Sequence, residues 1–180
     1  MYRKILTRGM VPALALLFTL APNAHAQLGP IWNHTASSCA IDEADLGIFQ
    51  ANQEEVFFMP GAVGDIFLRC NVNNPLDVAM AGQPGWDLLG ITYQDPDGMG
   101  VNTRVVAFLY QVNKATGVQG LLSTFDSNAL ADPTEHYSSI CFAPPIGDFL
   151  NFYYYVQVRI SRNAQGGNVK VCGVDLYYCD

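Results

Sequence analysis

The chain has 180 residues, of which 50% are hydrophobic and 14% are charged, and its formal net charge is −7 at pH 7. Such an acidic surface repels phosphate backbones and anionic lipids, which excludes nucleic acid as an expected partner. The length suffices for one sizeable hydrophobic core, and the lack of internal repeats or low-complexity linkers predicts a single domain.

The first 26 residues have the features of a secretory signal peptide. A positive segment with Arg3, Lys4 and Arg8 precedes a short apolar core, and Ala24-His25-Ala26 provides a small-x-small cleavage site. This apolar core is too short to span a membrane. We therefore predict a signal peptide at 1–26 and a secreted or periplasmic domain at 27–180, without a membrane span. Loss of three positive charges would change the net charge from −7 to −10.

The cleavage position also decides whether a metal site is expected. Cleavage after Ala24 would leave an N-terminal histidine, whose amine and imidazole could form a copper brace with His34 or His136. That cleavage would place Pro22 where a small residue is required, so cleavage after Ala26 is favoured. We therefore predict no metal and no cofactor.

Turn residues divide the rest of the chain into short segments rich in β-branched and aromatic residues, which predicts an all-β protein. The predicted strands are residues 47–52, 54–59, 65–72, 86–94, 104–112, 118–126, 140–142, 151–162 and 169–178. Residues 27–46 are expected to be an irregular entry segment, 76–80 are ambiguous, and 127–139 form the longest polar loop. We predict an antiparallel β-sandwich, jelly-roll-like, of about eight strands, with an immunoglobulin-like sandwich as the alternative.

Residues 151–162 are predicted to be a central strand of the sandwich. The segment contains neither Gly nor Pro and is dense in aromatic and β-branched residues. Side chains alternate between the two faces of a strand. We therefore expect the row from Phe152 to Ile160 to be buried and the row from Tyr153 to Ser161 to be partly solvated.

Residues 95–98, Asp-Pro-Asp-Gly, predict a tight turn, because Pro restricts φ and Gly permits a positive φ. We interpret this turn as a hairpin between the strands at 86–94 and 104–112. The two carboxylates also resemble the start of a calcium-binding loop, but such a loop needs oxygen ligands where Met99 and Val106 stand. The hairpin is the favoured interpretation.

Five cysteines follow the predicted signal peptide. Export permits disulfides, and the odd number leaves one thiol over unless a second chain takes it in a homo-oligomer. No pair has C-x-x-C spacing, which disfavours a zinc ribbon or a thioredoxin-type site. The preferred disulfides join Cys39 to Cys70 and Cys141 to Cys172, with Cys179 as the open alternative to Cys172.

The sequence contains no recognisable catalytic motif. It lacks the G-x-S-x-G, H-E-x-x-H and P-loop signatures. His34 and His136 each stand alone in a polar segment, and we interpret them as solvated side chains. We therefore name no catalytic residue and favour a non-enzymatic protein.

Aromatic residues are the main indication of binding, since they exceed what a small core needs. The surplus consists of Trp32, Trp86, Tyr153, Tyr155, Tyr177 and Tyr178. Exposed rings on a sandwich face can stack on sugar rings while Asp, Asn and Gln bind the hydroxyl groups. We take the first four as candidate ligand-binding residues, with core packing as the alternative.

Four motifs are distributed along most of the chain beyond residue 26, between residues 32 and 156. They are Trp32…Ser38-Cys39…Asp42, Leu68-Arg69-Cys70-Asn71-Val72, Leu89…Thr92-Tyr93-Gln94-Asp95-Pro96-Asp97-Gly98 and Tyr153-Tyr154-Tyr155-Val156. In these motifs the chain resembles a group of small exported bacterial β-sandwich proteins of unassigned function. The resemblance supports the Cys39–Cys70 pair and implies no chemistry; the other three cysteines lie outside it.

Together these features favour an exported, non-enzymatic binding module with carbohydrate as its ligand. The alternative is a structural or interaction subunit of a cell-envelope or extracellular assembly that uses exposed strand edges to contact an envelope protein. A glycan-binding assay together with a sizing column distinguishes the two.

Overall fold

A computed structural model describes residues 32–73 and 85–179 of the protein. The predicted signal peptide and the ambiguous segment 76–80 lie outside the described residues. The strands are β1 Trp32–Thr35, β2 Ala40–Ile41, β3 Phe49–Ala51, β4 Val56–Phe58, β5 Gly64–Val72, β6 Trp86–Gln94, β7 Thr103–Asn113, β8 Gln119–Asp126, β9 His136–Ile146, β10 Phe152–Arg162 and β11 Lys170–Tyr177. Three short 3-10 helices connect them at Ala36–Ser38, Glu43–Asp45 and Ser127–Ala129. Within these described ranges, no helix is long and apolar enough to cross a membrane.

The strands form two antiparallel sheets that pack face to face. Sheet A has the order β3-β4-β11-β6-β9, and β1 also pairs with β11. Sheet B has the order β2-β5-β10-β7-β8. The chain passes repeatedly from one sheet to the other, which confirms the predicted jelly-roll-like sandwich. Among the described residues the strand number exceeds the expected eight, and two of the strands, β1 and β2, lie within residues 27–46. The expectation that this segment is irregular is therefore wrong, whereas β3 and β4 fall within the strands predicted at 47–52 and 54–59.

Strand β10 is the middle strand of sheet B, as predicted. Val156, Val158 and Ile160 are fully buried, whereas the alternate residues keep partial exposure. The register places Val156 between Cys70 on β5 and Leu109 on β7, so this inner row continues across the sheet. Each such aliphatic side chain contributes about 1.5–3 kcal/mol through burial.

The two tryptophans belong to this core, which corrects their prediction as ligand-binding residues. Trp86 has 0% exposure and packs edge-on against Phe149, with ring centroids 5.6 Å apart. Trp32 has 5% exposure and lies opposite Leu176 in the β1–β11 ladder. Each begins a strand with its side chain on the inner face, so neither indole is available to a ligand.

The polar loop predicted at 127–139 is shorter than expected, because β9 already begins at His136. The strand continues through Pro144 and Pro145, residues that suggested its end at residue 142. Strand β9 lies at the edge of sheet A and pairs there with β6. Proline lacks a backbone N–H, and an edge position tolerates this loss.

The predicted hairpin at residues 95–98 is wrong, because β6 and β7 lie in different sheets and this segment connects them. Asp95 is fully buried and accepts hydrogen bonds from the hydroxyls of Thr103, at 2.6 Å, and Ser127. Asp97 accepts hydrogen bonds from the backbone N–H groups of Asn102 and Thr103. Both carboxylates are therefore engaged by donors of the protein itself.

Two disulfides link the described residues. The Cys39–Cys70 pair is confirmed, and it follows from the pairing of Ala40 with Arg69, which brings the two Cα atoms to 4.5 Å. The partner of Cys141 is Cys179, so the assignment of Cys172 to a disulfide is wrong. Cys179 follows the end of β11 at Tyr177, whereas Cys172 lies five residues before that end, roughly 17 Å away along the strand.

We expect alkylation to identify Cys172 as the protected thiol. Burial raises the pKa of Cys172 to about 12, so the unreactive protonated form dominates at pH 8. Iodoacetamide should leave the native protein unmodified and add one group after unfolding without reductant, as measured by intact mass. As the control, the protein is unfolded in the presence of a reductant before iodoacetamide is added, which should give five modified cysteines. A peptide linking Cys141 to Cys172 would contradict this assignment.

Candidate functional site

Three strands of sheet A place small and polar residues side by side on its outer face, the face turned away from sheet B. Asp175 on β11 lies opposite Gly90 on β6, and Gly90 lies opposite Ser139 on β9. Their neighbours Ile91 and Val174 are fully buried, so strand alternation turns this row away from the core. The lack of a side chain at Gly90 leaves a hollow in the middle of the row.

The Tyr137 ring fills the hollow above Gly90. The Tyr137 Cα lies opposite Thr92, which is two residues from Gly90 along β6, and the ring extends from there over Gly90. A Cβ atom on Gly90 would lie 2.1 Å from the Tyr137 hydroxyl oxygen, 2.7 Å from Cζ and 2.8 Å from Cε2. The ring therefore rests on the backbone of β6, while Tyr137 keeps 42% exposure toward solvent.

Tyr177 holds the Tyr137 ring in this position. The two hydroxyl groups are hydrogen-bonded to each other. The ring planes differ by only 26° and their centroids are 6.4 Å apart, so the two rings lie close together in nearly parallel planes. Burial, together with the Tyr177 hydrogen bond, raises the pKa of Tyr137, and its hydroxyl stays protonated. We call Tyr137 and Tyr177 the tyrosine platform.

Asp175 places a carboxyl group beside the platform. Burial raises the pKa of Asp175 to about 6, and no hydrogen bond from a described residue opposes this shift. The group is therefore largely ionised at pH 7 and retains its capacity to accept hydrogen bonds. A flat ring surface next to a carboxylate and the hydroxyls of Thr92 and Ser139 can hold a flat, hydroxylated molecule.

One other group of side chains has the composition of a metal site, formed by Glu55, Glu135 and Cys172. The ammonium group of Lys170 forms ion pairs with both glutamates. Burial lowers the pKa of Lys170, but the hydrogen bonds that its ammonium group donates to the two glutamates raise this pKa overall and keep the positive charge in place. The group therefore forms an internal ion-pair network around that charge.

The other two predicted ligand-binding residues lie on the outer face of sheet B. Tyr155 stacks on Tyr110 with centroids 5.1 Å apart, and the Arg69 guanidinium lies 5.5 Å from its centroid. Tyr110 on β7 and Arg69 on β5 approach from opposite sides of β10, so both faces of the Tyr155 ring are covered. Tyr153 is 63% exposed and has the Lys114 ammonium 4.6 Å from its ring centroid.

The structure thus separates the four predicted residues into two core tryptophans and two tyrosines on sheet B. The platform itself includes Tyr177, one of the surplus aromatic residues, and Tyr137, which falls within the predicted polar loop. Gly90 was the available signal in the sequence, because glycine inside a strand often marks the close approach of another group. The partner that approaches it follows only from the pairing of β6 with β9.

No family model matches the sequence, and comparison with curated proteins finds no match. Among solved structures, PfGH50B is 10% identical with a TM-score of 0.46, over 82% of this chain and 23% of its own. A carbohydrate-binding module of the β-sandwich superfamily is 8% identical with a TM-score of 0.42, over 83% of this chain and 56% of its own. The xylan-binding module CBM15 is 12% identical with a TM-score of 0.41, over 73% of this chain and 84% of its own.

The chain therefore spans about a quarter of the length of PfGH50B and about half of that of the second structure. All three TM-scores are below 0.5, so these likenesses do not assign a function. The ligand is therefore inferred from the side chains of this chain and their arrangement.

Proposed function

We propose that the protein is an exported, non-enzymatic carbohydrate-binding module whose ligand lies on the tyrosine platform of sheet A. The observation that supports this most directly is the position of the Tyr137 ring, which rests on Gly90 and keeps 42% exposure. A ring presented in this way offers a broad apolar surface to the apolar face of a sugar ring. The hydrogen bond to Tyr177 orients the ring before the ligand arrives, which lowers the entropy cost of binding.

The polar groups around the platform are complementary to sugar hydroxyls. The Asp175 carboxylate accepts hydrogen bonds, and bonds to a charged acceptor are stronger than those between neutral groups. A sugar would supply donors to a carboxylate that has none from the described residues. Ser139, in the same row as Gly90 and Asp175, and Thr92, in the next outward row, add hydroxyl groups that both donate and accept.

The charge of Asp175 also indicates which carbohydrates are preferred. A carboxylate or sulfate group on the ligand would be repelled by the ionised Asp175 side chain at close distance. The platform therefore favours neutral polysaccharides. Export is part of the same proposal, supported by the signal-peptide features of residues 1–26 and by two disulfides, which persist in oxidising compartments.

The proposal predicts that Tyr137→Ala weakens carbohydrate binding roughly ten- to a hundredfold, which corresponds to about 1.4–2.8 kcal/mol. The loss follows from removal of the stacking surface. Tyr137→Phe keeps that surface and should lose much less. Affinity electrophoresis in gels containing cellulose-derived, xylan, mannan or galactan polymers measures both variants against the wild type.

Tyr153→Ala provides the matched control, since it removes an exposed tyrosine from the opposite sheet. Its binding of the neutral polymer should equal that of the wild type. Equal losses for the two alanine variants would contradict the platform as the site. Large assemblies on a sizing column, together with no retardation by any polymer, would instead favour the role of an assembly subunit.

A further inference from the structure

The outer face of sheet B concentrates positive charge in a protein whose formal net charge is −7. The sequence has four arginines after Arg8, and three of them, Arg69, Arg104 and Arg159, lie on this face. The register places them in successive outward rows of β5, β7 and β10. The fourth, Arg162, ends β10 beside them.

Two of these arginines are neutralised or occupied by the protein itself. Arg104 forms an ion pair with Asp126 through two hydrogen bonds. Arg162 donates hydrogen bonds to the backbone carbonyls of Met59 and Ala62. Their guanidinium groups are therefore held by internal partners.

Arg69 and Arg159 differ, because neither forms an ion pair with any residue in the described ranges. The Nε atom of Arg159 is buried and has no hydrogen-bond partner there. A buried donor without a partner costs free energy that a bound acceptor would recover. The Arg69 guanidinium lies against the Tyr155 ring, which orients it and leaves its N–H edge free for an anion.

Each of the two arginines lines a cavity on this face. Arg159 lines a cavity of about 360 Å³ together with Arg104, Asn102, Ser161 and Asp65. Arg69 lines a cavity of about 220 Å³ together with Gln157, Phe67 and Asp42. Asp65 and Asp42 are the carboxylates in these linings; Asp65 accepts a hydrogen bond from Ser161, and Asp42 accepts one from the backbone N–H of Ala44.

We infer that the outer face of sheet B is a second binding site, for the carboxylate or sulfate groups of an anionic polysaccharide. Arg159 and Arg69 bind these groups through their guanidinium N–H edges, because two parallel N–H groups match two oxygens of a carboxylate or of a tetrahedral oxyanion. Tyr155 supports Arg69 from behind, and Lys114 beside the exposed Tyr153 extends the positive surface along β10. The site is independent of the tyrosine platform, which lies on the opposite sheet.

One observation favours a polysaccharide over a nucleic acid. Single-stranded nucleic acids bind through bases stacked on a series of exposed aromatic faces. On this face Tyr155 has both ring faces covered, and the Lys114 ammonium lies over the ring of Tyr153.

The test compares the wild type with Arg159→Gln and Asp65→Asn by affinity electrophoresis. The gels contain polygalacturonate, which carries carboxylates, a sulfated galactan, which carries sulfates, or neutral galactan. We expect salt-sensitive retardation by at least one anionic polymer and at least a tenfold loss of affinity in Arg159→Gln. Asp65→Asn removes the carboxylate of the larger cavity and should increase that affinity about threefold. Which anionic polymer retards the protein distinguishes carboxylate from sulfate recognition.

Thermal unfolding of each variant and its binding of the neutral polymer serve as folding controls. Tyr137→Ala should retain full affinity for the anionic polymer, because it alters only the opposite sheet. The inference would be overturned by equal affinity of wild type and Arg159→Gln, or by no retardation in either anionic gel. Tighter binding of a single-stranded DNA oligonucleotide than of either anionic polymer would also overturn it.

Discussion

Gly90→Ala is expected to weaken carbohydrate binding as strongly as Tyr137→Ala does, roughly ten- to a hundredfold. The added methyl group would overlap the distal end of the Tyr137 ring, with a closest approach of 2.1 Å, so the ring has to leave the sheet surface. The obstructing atoms belong to the end of a mobile side chain, and Gly90 does not have a positive φ. The fold should therefore accept alanine while the platform is lost.

The double variant makes this prediction specific. If Gly90→Ala acts through the Tyr137 ring, combining it with Tyr137→Ala should add almost no further loss of affinity. Gly120→Ala is the matched control, because its Cβ would have no neighbour nearer than 3.3 Å, and it should bind as the wild type does. Normal binding by Gly90→Ala, or additive losses in the double variant, would contradict the proposed geometry.

Asp175→Asn is expected to stabilise the protein at pH 7 while it weakens carbohydrate binding. Burial raises the pKa of Asp175 from 3.8 to about 6, so the folded state binds this proton more tightly than the unfolded chain does. Folding stability is consequently lost as pH rises through that window. Because solvent still screens part of this carboxylate, removal of the ionisable group should recover about 1–2 kcal/mol at pH 7 and almost none at pH 4, measured as the free energy of unfolding in urea.

The same carboxylate should give carbohydrate binding a pH dependence of opposite sign. A ligand that donates hydrogen bonds to ionised Asp175 lowers its pKa, so wild-type affinity should fall by up to roughly tenfold per pH unit below 6. Binding by Asp175→Asn should be weaker at pH 7 and nearly independent of pH between 5 and 7. An unchanged affinity in this variant would exclude Asp175 as a ligand contact.

Local patterns in the sequence determined the class of the fold and much of the strand assignment. Strand β6 has the predicted bounds, and the buried row of β10 follows from the alternation between residues 152 and 160. The alternation of side chains depends only on neighbouring residues along the strand, so it can be recognised without knowledge of the partner strands. The Cys39–Cys70 pair was also anticipated, and the β2–β5 register explains it.

Tertiary structure alone decided which aromatic residues are available and which groups meet. The sequence cannot show which face of a strand a second sheet covers. Trp86 and Tyr153 are therefore equivalent candidates in the sequence, whereas packing buries the first and exposes the second. The contact between Tyr137 and Gly90 joins residues 47 positions apart through the β6–β9 pairing. The positions of Cys179 beside Cys141 and of the arginines on one face likewise depend on long-range register, which no local pattern specifies.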